Sequence, residues 1–245
     1  MNDFSYIRRN LQDVRARLSA AAARGGHPVP ELIAVTKSAS PEEVLALAEL
    51  GASVMAENRV QLLRERLSLL EGHPTAPVFD LIGSLQTNKC KHVVGAVRLV
   101  QSLDSLRLAE ELNRIALARG VCVRALVEVN SAREEAKGGL MPEEVGDFVD
   151  ALKEYPALRA VGLMTMGPAT RDPSALRECF RETREKHLLL CQRGCFGETP
   201  VLSMGMSESF EIAAEEGATT VRVGRALFAR DSDIFKRKDD SHESV

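Results

Sequence analysis

Eight short runs rich in Val, Ile and Leu recur along the chain, at residues 32–37, 53–58, 78–84, 99–104, 124–130, 159–167, 200–206 and 219–224. Several are continuously apolar rather than alternating, the pattern of parallel strands covered on both faces. The segments between them mostly show helical spacing: Val60, Leu63, Leu67 and Leu70 in one, Leu108, Leu112 and Ile115 in another. Phe4, Ile7, Leu11, Val14 and Leu18 form a further stripe ahead of the first run. Ser40-Pro41-Glu42-Glu43 marks a helix start with a capping serine, a proline at the first helical position and a capping-box glutamate; Asp172-Pro173 repeats the cap-then-proline signal. Eight strand-and-helix units without a long Gly/Ser/Pro linker predict a single α/β (β/α)8 TIM barrel with an extra N-terminal helix. An open doubly wound sheet is the competitor, but no G-x-G-x-x-G follows the first run. The barrel is assigned to residues 1–235, and the nearly all-polar stretch 236–245 to a disordered tail.

Composition narrows the function classes. With 32 basic and 35 acidic residues the net charge is −3, which gives no electrostatic footprint for nucleic acid or an anionic membrane. The apolar runs are strand-sized, far short of the roughly 20 residues that span a bilayer. The first ten residues hold no apolar signal core, and Asp3 and Asp13 interrupt the basic face a transit peptide needs. Five cysteines, an odd number without a C-x-x-C pair, suit reduced thiols, so a cytoplasmic location is expected. His187, Cys191 and Cys195 follow at four-residue steps, but Gly194 is placed to end that helix and no fourth ligand lies nearby; no metal site is expected.

Functional groups of such barrels sit at the C-terminal strand ends. There the chain places Lys37, Glu57-Asn58, Gly83-Ser84, Asn130, Met164-Thr165-Met166-Gly167, Ser203-Met204-Gly205-Met206-Ser207 and Arg222-Val223-Gly224-Arg225. A lysine beside an apolar strand is expected to be partly desolvated, which frees its amine for imine formation; taken alone it reads more readily as a rim lysine whose stem covers the barrel edge. The loops after the seventh and eighth strands are the fold's customary phosphate site, and here they hold Ser203, Gly205, Ser207, Gly224 and Arg225. Together with Lys37 they point to a phosphorylated carbonyl compound across the barrel mouth. Lys137, in Glu134-Glu135-Ala136-Lys137-Gly138-Gly139, is expected on the same face in a mobile, solvated loop, where it would assist transfer of that compound.

The segments Ile33-Ala34-Val35-Thr36-Lys37, Glu57-Asn58, Ile82 to Lys89, Gly162 to Met166, Leu202 to Ser207 and Val221 to Arg225, in order across residues 3–230, resemble the pyridoxal phosphate homeostasis protein family, relatives of the N-terminal barrel of alanine racemase. The resemblance implies that pyridoxal 5'-phosphate (PLP) is held as a Schiff base on Lys37. It implies that Ser203, Gly224 and Arg225 hold the phosphate, that Arg222 faces the pyridine nitrogen, and that Asn58 lies near the ring. Ser84 departs from the histidine many relatives carry before Leu-Gln, which leaves its role open. The implied function is carriage and buffering of PLP in vitamin B6 homeostasis, with apo PLP-dependent enzymes as partners and a monomer as the default.

An arginine beside the pyridine nitrogen cannot accept its proton, so the ring is a weak electron sink and transamination or decarboxylation is disfavoured. Racemases with that arginine add a tyrosine base from a separate domain. Tyr6 falls in the leading helix and Tyr155 before Pro156, and the chain is read as lacking that domain. A carrier without catalytic residues is therefore expected over two alternatives, a racemase of the alanine racemase type and a cofactor-free Schiff-base aldolase or phosphosugar isomerase.

Overall fold

Eight parallel strands close on themselves in chain order, β1 (Glu31–Val35), β2 (Val54–Glu57), β3 (Val78–Leu81), β4 (Leu99–Leu103), β5 (Val123–Val129), β6 (Leu158–Thr165), β7 (Val201–Ser203) and β8 (Thr220–Val223). The last strand returns to the first, Ala34 opposite Val223, and closes the barrel. This computed structural model describes residues 3–134 and 137–230. The expected tail at 236–245 lies outside the described residues, as do Glu135 and Ala136 beside Lys137.

Most strands stop one to three residues short of the sequence runs. The residues cut off include the polar strand-end groups Lys37, Asn58, Ser84 and Asn130, which lie in the loops beyond the ladder. Alternation sorts the rest. Phe79, Leu81, Val100, Leu202, Val221 and Val223 face outward into the main core beneath the helices. Ile33, Val35, Val54 and Ala56 form one small apolar cluster, and Leu99, Leu126, Val161 and Met164 another, on the lumen side.

The helix ring is α1 (Ser5–Gly25), α2 (Pro41–Glu49), α3 (Val60–Leu69), α4 (Leu106–Arg119), α5 (Val145–Ala151), α6 (Pro173–Gln192), α7 (Phe210–Glu215) and α8 (Arg225–Phe228). The Ser40 capping box and the Asp172 cap both form. Between β3 and β4 the connection is a 3-10 turn at Thr87–His92, not an α-helix. At the other irregular point α8 is a single turn, and the extra helix makes good the deficit. α1 buries Ile7, Leu11, Val14 and Leu18 against the barrel, and Asn10 Nδ2 donates to Leu227 O (3.0 Å) and Ala229 O (2.8 Å). The N-terminal helix therefore does the covering work of an eighth crossover.

Gly194, at φ 72°, follows the end of α6 as the sequence suggested. His187 is buried, lies 5.6 Å from the Phe196 ring in a stacked arrangement, and burial pushes its pKa down to about 4, so it is a neutral core residue. Among the described residues no three His, Cys, Asp or Glu side chains are grouped as metal ligands, and no helix is long and apolar enough to cross a membrane.

Candidate site at the barrel mouth

Alternation along β1 puts Ile33 and Val35 in the lumen and carries Lys37, two residues beyond the strand, to the same side. Lys37 is exposed, in a turn at 37–38. The expected partial burial is thus corrected: β1 stops at Val35, and the lysine stands above the rim instead of in its apolar wall.

Two neighbours bracket it. Val35 pairs with Ala56, so Asn58, the next inward position past β2, lies on one side and is half-buried. It does not cap α3; Arg59 occupies that position. On the other side stands Gly224, where an added Cβ would sit 2.9 Å from Val35 O. Only glycine leaves that gap between the end of β8 and the Lys37 turn open.

The loops after β7 and β8 are stitched together by Ser207. Its Oγ accepts from the N–H groups of Gly224 (3.2 Å) and Ala226 (3.3 Å). Ser209, not Ser207, takes the N-cap position of α7. Gly205, at φ 89°, packs so closely that a Cβ would meet Ala213 Cβ at 2.5 Å. Arg225 is largely exposed and pairs with Glu208 at 3.2 Å. With Ser207 Oγ accepting the Gly224 and Ala226 N–H groups, its own hydrogen is left to donate outward; with the Arg225 guanidinium, beside a glycine that leaves room, it forms a donor set suited to a phosphate monoester.

Ser203, which the resemblance assigns to the phosphate, sits apart from these loops. It is fully buried; its Oγ accepts from Arg222 Nη1 (2.6 Å) and donates to Gln101 Oε1 (2.7 Å). Its neighbours Leu202 and Met204 face the outer core, so Ser203 points into the lumen, below the loops. Arg222 is buried beside it, with Nη2 donating to Thr165 O at 2.9 Å. Burial pushes its pKa down to about 10, opposed by the nearby Glu128 carboxylate, so the guanidinium keeps its charge at neutral pH.

Glu128 escaped the sequence reading. Burial first, and the Asp104 charge second, push its pKa up to about 7, with Arg222 opposing. The available signal was a charged residue at an inward position within Leu126-Val127-Glu128-Val129. Since its folded-state pKa is raised, the native state holds an extra proton between about pH 4.5 and 7, and stability falls as pH rises through that window. Glu128→Gln should flatten this fall, worth up to roughly 3 kcal/mol, in urea unfolding from pH 5 to 8. An unchanged pH profile would show that Glu128 titrates normally.

Lys137 is less free than expected. Its Nζ donates to the Glu134 carboxylate (2.9 Å) and to Gly167 O (3.0 Å), so it ties the loop after β5 to the end of β6. Asn130 and Leu140 hydrogen-bond across the base of the loop, Asn130 N to Leu140 O at 2.8 Å. Ser84 is exposed, and nothing in its surroundings assigns it a role.

Behind the β1–α2 turn lies a buried ion pair. Thr36 Oγ1 donates to Glu57 Oε1 (2.5 Å), Arg66 Nη2 donates to Ala39 O (2.5 Å), and Arg66 Nε lies 3.5 Å from Glu57 Oε1. Both charges therefore grip the turn that carries Lys37. A surface cavity of about 940 Å³ runs along α6 by Arg177, Arg181 and Glu182. It is not where the strand ends converge, and Arg177 and Arg181 are paired with Glu216. The mouth is the better site because the chemistry converges there.

The family described as "Alanine racemase, N-terminal domain" matches residues 7–231. A pyridoxal phosphate homeostasis protein of Aquifex aeolicus is 38% identical over 89% of this chain and 95% of its own length; one from Helicobacter pylori is 36% identical over 85% and 91%. Among solved structures, PipY of Synechococcus elongatus with PLP bound superposes with a TM-score of 0.79 at 28% identity, covering 91% of this chain and all of its own. An alanine racemase of Clostridium difficile shares the fold, with a TM-score of 0.73 at 17% identity, over 96% of this chain and 59% of that one. On its sequence, its barrel and these relatives, the chain belongs to the pyridoxal phosphate homeostasis protein family.

Proposed function

We propose that this protein binds PLP at the barrel mouth as an imine on Lys37 and serves PLP homeostasis by buffering the cofactor and delivering it to apo-enzymes in the cytoplasm. The observation that carries the reading is the convergence of Lys37 with the joined loops after β7 and β8, brought about by the closeness of Gly224 to Val35. Bound there, the cofactor supplies an aldehyde that condenses with a lysine amine and releases water. In this reading Gly224, Ser207 and Arg225 take the phosphate, Arg222 stands by the ring nitrogen and Asn58 by the ring. The named function of the relatives and the PLP in PipY support it.

A carrier is favoured over a racemase because neither tyrosine is offered as a base. Tyr6 donates to Glu43 at the α1–α2 contact, and Tyr155 ends a 3-10 turn ahead of β6. Absence of α-proton exchange in amino acids mixed with the loaded protein is the expected result.

The direct test is titration with PLP and with unphosphorylated pyridoxal, followed by absorption. A visible band that saturates with PLP at far lower concentration than with pyridoxal is expected; equal affinities would remove the phosphate loops from the reading. Arg225→Ala should weaken PLP retention about tenfold or more, one charge-assisted contact, while imine formation at high PLP persists. Retention equal to the parent's would place the phosphate elsewhere. Lys137 is assigned to transfer, releasing Gly167 O to meet the outgoing cofactor. Lys137→Ala should leave PLP binding intact and slow reactivation of an added apo-enzyme; equal rates at matched loading would leave simple dissociation from Lys37.

A further inference from the structure

Among the described residues the hydrogen bonds of the buried Arg222 guanidinium go to Ser203 Oγ and Thr165 O, both neutral. A charge in such a place needs a polarised environment. One is supplied through the barrel lumen. Arg222 Nη1 donates to Ser203 Oγ (2.6 Å), Ser203 Oγ donates to Gln101 Oε1 (2.7 Å), and Gln101 Nε2 donates to Asp80 Oδ2 (2.8 Å). Asp80 also takes Arg98 Nε (2.9 Å) and Nη2 (2.7 Å), and Arg98 reaches Glu31 at 2.9 Å. Glu31 starts β1 and Arg98 precedes β4, so the chain runs from the N-terminal rim of the barrel to its mouth.

Its direction is not free to reverse. Asp80, Gln101 and Ser203 are fully buried, and each has one productive orientation. Burial draws Asp80 toward protonation, and the bidentate Arg98 pair opposes it. The three contacts on its oxygens are all donors, so the ionised form is the one that satisfies them. A carboxylate accepts only, so the Gln101 amide must turn its NH2 to Asp80 and its carbonyl to Ser203. Ser203 must then donate to that carbonyl, and the lone pair left over faces Arg222. Every dipole in the series presents its negative end toward the guanidinium.

We propose that Gln101 and Asp80 are positioning residues for Arg222, holding its guanidinium at the barrel mouth through a hydrogen-bond chain whose direction Asp80 sets. The inference rests on the reading that PLP occupies the mouth with its ring against Arg222. Gln101 and Asp80 act on that ring only through Ser203 and Arg222. The lumen thereby gives the strand-buried Gln101 and Asp80, which are short of apolar packing, a shared purpose at the site.

The test uses the full-length protein loaded with PLP. Gln101→Met keeps the side-chain length but neither accepts from Ser203 nor donates to Asp80. The expected result is PLP retention weakened roughly tenfold, because both links through position 101 are lost from a series ending on a charge, and a displaced absorption band for bound PLP, with borohydride still fixing the cofactor on Lys37. Exchanging amide and carboxylate, by combining Asp80→Asn with Gln101→Glu, allows every link between positions 80 and 203 to be remade. This double variant is expected to return the band toward the parent's, which a merely structural role for Gln101 would not produce. If Gln101→Met does not fold, Gln101→Glu alone, facing two carboxylates together, replaces it with the same expected displacement. A parent-like band and retention in the single variant overturns the proposal, as does a double variant as displaced as the single one. A parent protein that binds no PLP, or is fixed at another lysine, overturns the reading of the mouth and leaves the chain of bonds without a ligand to act on.

Discussion

Lys37→Ala is expected to abolish the pyridoxyl group that borohydride fixes on the parent protein, and peptide mapping of the parent is expected to find it on Lys37 alone. The reason is placement. Lys37 is exposed, like Lys89 and Lys91, so burial gives its amine no advantage over theirs. What distinguishes it is the loop pair one strand away. An aldehyde whose phosphate is held by Gly224, Ser207 and Arg225 meets the nearest amine at a very high effective concentration, and intramolecular placement of this kind is worth several powers of ten. Lys137, whose Nζ is committed to Glu134 and Gly167, is not a ready substitute. Lys37→Ala should still gather PLP reversibly at the phosphate loops, seen as a weak binding isotherm without a borohydride-stable product. Stoichiometric labelling in Lys37→Ala, or labelling of the parent chiefly at Lys89, Lys91 or Lys137, would reassign the imine.

Arg66→Met is expected to cost about 3–5 kcal/mol of stability, the usual penalty for stranding one member of a buried ion pair. Glu57 has no exposed side-chain surface, and its Oε2 and Arg66 Nε already make no hydrogen bond. Among the described residues, removing the guanidinium leaves the carboxylate with the Thr36 hydroxyl as its only side-chain hydrogen-bond donor. Burial already raises the Glu57 pKa, and losing Arg66 raises it further. The native state of the variant then gains stability relative to the parent as pH falls, because the proton removes the buried charge. The loss measured by denaturant should therefore shrink between pH 8 and pH 5. Adding Glu57→Gln should recover most of it at pH 8. A loss below about 1 kcal/mol at pH 8 would show that water or relaxation replaces the pair. Since both partners grip the Lys37 turn, the variant should also fix PLP at Lys37 more slowly.

The barrel was legible because parallel strands under helices must be apolar on both faces, and runs such as Leu126-Val127 or Ile33-Ala34-Val35 announce that directly. The Ser40 and Asp172 caps were legible because their chemistry is local. Where the reading went astray, distance in sequence was the cause. The bonds of Ser203 to Arg222 and Gln101 likewise depend on its inward parity on β7 and on a residue a hundred positions earlier. The exposure of Lys37 depends on where β1 stops, and strand ends are set by pairing with β2 and β8. Glu128, Asp80 and Gln101 went unread because a single charged or amide residue in an apolar strand carries no local signal; only closure of the sheet gives each its partners.

Closure also governs the order in which the molecule can be finished. β1 has β8 as one of its two partners, and α1 rests on α7 and α8, with Asn10 clasping Leu227 and Ala229. On a ribosome the first helix and first strand emerge with half their contacts still unsynthesised, and long-range closure of this kind is slow. The apolar stripe of α1 must wait, amphipathic and uncovered, until about 200 residues have followed it. This makes the last strand, with the helical turn behind it, the step that commits the fold.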